Sequence, residues 1–299
     1  MTVRAVSPRA LLTLLAVAFM FGGNHVAARA AFNHGVDVAT AVTLRSAVTA
    51  IVIGALLALQ RRPLSTTPRQ RAMLLLIGVL VAVQSLALYS AVARLPVALA
   101  LMTFNTFPIW TALWARVLFA HRPDRRTLLV MPVILVGLAL ALDVAGAASG
   151  LSLQAQWQHI GSGVGFALAA ALAFGLVLVL TQHEVASLDG RWRSAISMAV
   201  VGLLAGAATA ALGGPHWPDA PAGWWGLALL TVLYGTAFTI VFTLLPTLGV
   251  VGNSPILNIE PVAAMVMAWL LLGQRMAAVQ VLGAAVVVAA VMTLGLRRH

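Results

Sequence analysis

The chain has 299 residues, of which 62% are hydrophobic and only 8% charged, with a formal net charge of +11. Soluble domains carry about 45–50% apolar and about 25% charged residues, so this composition excludes a soluble globular domain and fits a polytopic α-helical membrane protein. The positive charge does not point to nucleic acid. All eighteen basic residues are arginines placed between apolar runs, which is how topology-setting charge is distributed. Cysteine is absent, which excludes disulfides, thiolate nucleophiles and cysteine metal sites.

About 20 apolar residues cross a bilayer, and the apolar runs between breakers predict ten spans, at roughly 10–28, 38–59, 71–93, 96–119, 126–145, 160–181, 194–213, 223–245, 251–272 and 277–296. The first follows Arg4 and Arg9 and ends near Ala28-Arg29-Ala30, a pattern shared with cleavable signal peptides. The clearest breaks are Arg61-Arg62-Pro63, His121 to Arg126, Asp189 to Arg193, and Gly213-Gly214-Pro215. Tight links at Arg94-Leu95-Pro96 and Leu248-Gly249 make helical hairpins of spans three and four and of spans eight and nine. Gly146 to His159 is the longest polar stretch and divides the chain into units of residues 1–150 and 151–299.

The two units repeat. A shift of 153 residues lays Leu15, Phe21 and Gly22 on Leu168, Phe174 and Gly175, and Leu95, Asn105, Pro108 and Arg122 on Leu248, Asn258, Pro261 and Arg275. Leucine matches are cheap in an apolar chain, but the shared Asn-x-x-Pro with an arginine fourteen residues beyond the proline is not. The first span thus has a counterpart within the second unit, so it reads as a retained helix. Five spans per unit, an odd number, put the second copy into the membrane upside down, the arrangement on which many secondary transporters build alternating access. With the N-terminus inside, fourteen arginines, from Arg4 and Arg9 to Arg297 and Arg298, fall on the cytoplasmic side. Only Arg29, Arg94 and Arg275 fall outside and Arg45 lies within a span, so both termini are expected in the cytoplasm.

Phe19 to Asn24, Arg45, Thr106-Phe107-Pro108 and Asn258-Ile259-Glu260-Pro261, the last running into Leu270-Leu271-Leu272-Gly273-Gln274-Arg275, carry a resemblance. Each half resembles an EamA-type repeat of the drug/metabolite transporter superfamily, over nearly the whole chain, and within it the bacterial amino-acid exporters of the aromatic type. Gln274, and His121 in the first half, stand where the family's Leu-Leu-Gly-Glu-Arg ending has glutamate. The resemblance implies an all-α membrane protein, ten helices around a central cavity, in the bacterial inner membrane, exporting metabolites. Carriers of sugar phosphates and nucleotide sugars, and drug efflux proteins, share that fold.

Charged and strongly polar groups inside spans are costly and are the first functional candidates. Glu260 is the only acid expected deep in a span. It reads as a proton carrier, a ligand for a substrate ammonium, or a structural partner of a buried arginine or helix end. Arg45 is the matching cation, for a substrate carboxylate or for structural hydrogen bonds. Pro108 and Pro261 remove a backbone N–H each and free the carbonyls of Phe104 and Leu257, next to Asn105 and Asn258. These amides suit a zwitterion or merely shape the kinks, and Pro255 adds a further hinge. Gln84, Tyr89 and Tyr234 complete the polar set, and the repeat-related Phe21 and Phe174 either line the cavity or pack. Asn24 and His25 are also in-span polar groups, the histidine reading more readily as a helix-end residue than as a proton relay.

Gly161-x-x-x-Gly165 and Gly202-x-x-x-Gly206 are expected to bring helices of this chain close together, and Trp217, Trp224 and Trp225 to form an interfacial belt. His183-Glu184 lacks the second histidine of a zinc-protease motif, and no nucleophile elbow, phosphate loop or metal cluster occurs in the sequence. The expectation is a non-enzymatic transporter without cofactor or metal, taking a small-molecule substrate within the lipid bilayer, and able to act as a monomer. A phosphorylated-sugar carrier would want several cavity cations, and a non-transporting receptor or scaffold would have a closed apolar centre.

Overall fold

The structure, a computed structural model, describes residues 8–61, 63–121, 125–144, 150, 152–243 and 259–295. The described residues form eleven α-helices and no strand: α1 Pro8–Phe32, α2 Val38–Leu59, α3 Pro68–Arg94, α4 Val97–Phe104, α5 Phe107–Phe119, α6 Arg125–Ala141, α7 Leu153–Glu184, α8 Gly190–Ala211, α9 Pro221–Thr243, α10 Glu260–Leu272 and α11 Ala278–Gly295. Seven stretches, the run Val97–Phe119 among them, are long and apolar enough to cross a membrane; Leu128–Ala141, Glu260–Leu272 and Ala278–Thr293 are shorter apolar helices. Large side chains such as Leu59, Leu129, Leu203 and Leu271 point outward and are exposed, as a bundle in lipid requires.

Caps set the helix starts. Asp37 accepts from the Thr40 amide at 2.8 Å and opens α2. Thr67 and Gln70 form a reciprocal capping box ahead of Pro68 in α3. The start of α7 departs from the sequence expectation: Ser152 caps the helix through the Ala155 amide, so residues 153–159 of the polar stretch are its first two turns. The span expected at 96–119 is two helices. Pro108 takes the second position of α5, where its missing N–H costs nothing, and the α-helical assignment is interrupted by a turn at Asn105 and Thr106.

The 153-residue repeat reappears in three dimensions. Prolines 68 and 221 open α3 and α9, Phe107 and Glu260 open α5 and α10, and Ala120 and Gly273 close those two helices with positive φ. Packing follows the same relation: α2 packs on α8 and α6 on α11, while the pair α1–α9 mirrors α7–α3 and α1–α10 mirrors α7–α5. Repeated glycines permit two of these approaches. A Cβ on Gly22 would lie 3.0 Å from the Ala264 amide nitrogen, and one on Gly175 2.8 Å from that of Thr111, the equivalent atom one repeat earlier.

Of the two small-residue motifs, Gly202 and Gly206 face Ala47 and Thr43 of α2, as expected. Gly161 and Gly165 do not bring another helix close among the described residues; Gly163, between them, receives Leu95 instead. The three tryptophans are half exposed or more, with Trp217 stacked on Trp224 at 5.7 Å.

Candidate functional site

Between the repeats lies a cavity of about 740 Å³, within the range of about 300–1,000 Å³ usual for small-molecule sites. Phe21, Arg45, Gln84, Tyr89, Asn105, Pro108, Phe174, Tyr234, Glu260 and Pro261 all line it. Asn258 and Pro255 lie outside the described residues.

One wall is a polar network built on Arg45. Its guanidinium donates to the Tyr89 hydroxyl at 3.2 Å and to Ser85 Oγ at 3.0 Å. It also lies over the Tyr234 ring at 3.8 Å and the Tyr89 ring at 4.6 Å, where the ring quadrupoles attract a cation. Tyr89 in turn donates to Asn24 Oδ1 at 2.6 Å. Arg45 is 2% exposed, and no carboxylate among the described residues lies within ion-pair distance of it. A buried charge without a counter-charge is costly. The two rings, Ser85 and Tyr89 solvate this one without neutralising it.

Glu260 stands in the first turn of α10 and not deep in a helix, because Pro261 again occupies the second helical position. A helix N-terminus favours a carboxylate. Its partner is not an arginine but His25, whose Nε2 is 3.4 Å from Glu260 Oε1, while His25 Nδ1 is buried without a hydrogen-bond partner among the described residues. Asn105 both lines the cavity and caps α4: its side-chain amide donates to the Leu101 carbonyl at 2.9 Å. Gln84 accepts from Ser85 Oγ at 3.3 Å and is half-buried.

Another part of the lining is aromatic. Phe104, Phe107 and Phe174 are in mutual contact, with ring centroids 5.1–5.6 Å apart, whereas Phe21 meets Tyr234 edge-on at 6.0 Å.

The cavity breaks the twofold relation along its length. It extends to Val185 at the C-cap of α7 and to Arg193 and Ser194 at the start of α8. At the other end the equivalent positions Phe32, Thr40 and Ala41 do not line it. That end is packed by Leu95, Val97 and Leu101 against Val164 and Val26. Arg29 closes it further by donating to the Val92 and Leu95 carbonyls at 2.8 and 3.3 Å. Gln274, at the position where the resembled family has glutamate, accepts from the Val97 amide at 3.0 Å and so caps α4.

Sequence reasoning passed over Ser85, Arg193, Ser194 and Ser197, and it placed His25 at a helix end, apart from the site. A signal for His25 existed: it follows Phe21 by four residues, so the two share a helix face. Small hydroxyls are common in membrane helices, and Arg193 was counted with the topological charges. Neither stood out.

The sequence profile of the EamA-like transporter family matches residues 8–142 and again 161–296. A solved crystal structure of a protein has a TM-score of 0.59 to this chain at 18% sequence identity, over 94% of this chain and 98% of the other. At that identity the likeness speaks for the fold alone. No curated protein matches the chain in sequence. Two profile matches spanning most of the chain, on a bundle of apolar helices around a cavity, make this a multi-pass membrane protein and a transporter of small molecules that belongs to the EamA-like transporter family.

Proposed function

We propose that the protein is a secondary transporter of the bacterial inner membrane that exports small metabolites, amino acids foremost. Residues 1–150 and 151–299 act as two inverted units that alternate access to the central cavity. The observation that carries the substrate class is Arg45, a buried cation without a carboxylate partner among the described residues, lining the same cavity as Glu260. A zwitterion supplies the missing carboxylate to the guanidinium and an ammonium to the acid, with Gln84 and Asn105 at hand as amide donors and acceptors. The end to which the cavity extends is the arginine-rich one, with Arg61, Arg69, Arg191 and Arg193 near it, so by the positive-inside rule it faces the cytoplasm. Exchanging the conformations of the two repeats would close this end and open the other.

The test is flux of a labelled amino-acid panel in proteoliposomes, with and without a proton gradient. Wild type is expected to give saturable flux. Arg45→Met should lower it about tenfold or more, since a charge-assisted hydrogen bond contributes about 1.5–3 kcal/mol. No amino-acid flux from folded protein would contradict the reading. Arg193, a second arginine lining the cavity, favours a second reading, a carrier of phosphorylated sugars. In that case inorganic phosphate or a sugar phosphate, and no amino acid, would be exchanged.

A further inference from the structure

We propose that Arg193 and Arg45 are successive stations for the anionic group of the transported molecule. Arg193 receives it at the cytoplasmic mouth, Arg45 holds it deep in the cavity, and one face of α8 is the track between them. The proposal rests on the reading of the cavity as a transport path, and it applies to a carboxylate or a phosphate.

Arg193 differs from the other arginines at its end of the bundle. Arg69 holds Glu184 through hydrogen bonds of 2.9 and 2.8 Å. Arg191 donates to Gln60 and lies 3.7 Å from Asp189. Neither of them lines the cavity. Arg193 does line it and is half-buried. Among the described residues it has no carboxylate within ion-pair distance, and its Nε is buried without a hydrogen-bond partner. A partly buried charge without a counter-charge is costly, and an anion in the cavity would supply one. The 153-residue shift places Thr40 at the equivalent position. The Thr40 amide is bonded to Asp37 at 2.8 Å, and the residue does not line the cavity. The cation therefore belongs to one mouth only.

Helix α8 joins the stations. Ser197 follows Arg193 by four residues and Met198 follows Ser194 by four, so they share a helix face, and all four line the cavity. The Tyr234 hydroxyl reaches Met198 Sδ at 3.6 Å, and the Arg45 guanidinium lies over the ring of the same tyrosine at 3.8 Å. Arg45 thus meets α8 near the level of Met198, about 7.5 Å of helix rise beyond Arg193. The Ser197 hydroxyl, which can donate to an anion, lies on the way. The outer guanidinium is partly hydrated and draws the anion in. The inner one is 2% exposed, and a drier surrounding strengthens its hold.

The test is half-saturation of exchange measured separately at each face of the membrane. It uses inside-out and right-side-out vesicles carrying the full-length protein, with vesicles from cells lacking it as background. The probes are a labelled amino-acid panel and inorganic phosphate. Arg193→Gln is expected to raise the cytoplasmic half-saturation about five- to tenfold and to leave the periplasmic one within about twofold, the scale of one charge-assisted hydrogen bond at a hydrated mouth. Arg193→Lys should recover most of that loss, and Arg45→Met should raise the half-saturation at both faces. Half-saturation does not depend on the amount of folded protein, and a general structural defect would shift both faces alike. A cytoplasmic half-saturation unchanged in Arg193→Gln, or raised equally at both faces, would overturn the outer station while leaving the transport reading intact. The same sidedness with phosphate in place of any amino acid would support the two stations and replace the carboxylate by a phosphate. Saturable exchange of neither probe would overturn both the stations and the transport reading.

Discussion

At the scale of single residues, the polar wall depends on Tyr89. Its hydroxyl accepts from Arg45 and donates to Asn24, itself fully buried. Tyr89→Phe keeps the ring under the guanidinium and leaves both partners short of a bond. Hydrogen bonds between membrane helices average about 0.6 kcal/mol. Here one deletion leaves a charged donor and a buried acceptor each short of a bond, and one unsatisfied buried group costs about 1–3 kcal/mol, so the loss should lie toward the upper figure. Thermal unfolding in detergent measures it, and an unchanged midpoint would mean that Asn24 and Arg45 have other partners. The same logic explains which residues were legible beforehand. Tyr89, Gln84 and Arg45 are expensive in an apolar run, so their presence alone marked them. Ser85 and Ser197 cost little anywhere in a helix and gave no signal until the helices were packed. His25 acquires its meaning only from Glu260, more than two hundred residues away in sequence.

At the scale of helices, close approach and capping decide where the site residues stand. A Cβ at Gly175 would sit 2.8 Å from the Thr111 nitrogen and 2.9 Å from Trp110 Cβ, a backbone contact that cannot yield cheaply. Gly175→Ala should therefore push α7 from α5 and cost about 1–3 kcal/mol, as overpacking does. Gly165→Ala, with nothing within 4 Å, should be neutral or slightly stabilising, and unfolding midpoints of the two variants compare them directly. At the start of α2, burial tends to raise the Asp37 pKa, but the hydroxyl and amide of Thr40 and the amide and ring of His216 outweigh it and hold the pKa below its ordinary value. A depressed folded pKa gives stability that is full above the unfolded pKa of about 3.9 and is lost as pH falls through the lower folded one. Asp37→Asn should flatten that acid limb of an unfolding-versus-pH curve; an unchanged limb would assign it to other carboxylates. The bounds of α2 were readable because an aspartate cap and a Gln-Arg-Arg-Pro exit frame it. Those of α7 were not, because its first two turns are polar, and polarity reads as loop when Ser152 is not recognised as a cap. Pro108 marked a break correctly, while its form, one helix ending and another starting, depends on Asn105 and Thr106 bonding back to α4.

At the scale of the whole molecule, a repeated backbone carries an unrepeated site. Helix starts, positive-φ stops and helix pairings follow the 153-residue shift, while Arg45, His25, Asn24 and Glu260 have apolar counterparts. The backbone repeats, while most of the side chains that line the cavity do not. The two ends differ as well: one is sealed by Leu95, Arg29 and Gln274, whereas the other carries the cavity to Val185 and Arg193. The central claim is that this cavity is a water-filled path for substrate reached from the arginine-rich end. Because the chain has no cysteine, single cysteines report access without background. The decisive measurement is the rate at which a membrane-impermeant thiol reagent, applied to the cytoplasmic face, modifies Gln84→Cys and Asn105→Cys, with Leu99→Cys in the sealed end for comparison. Both cavity positions should react much faster than position 99, and a transported amino acid should slow them. Cavity cysteines as unreactive as the one at position 99 would contradict the account.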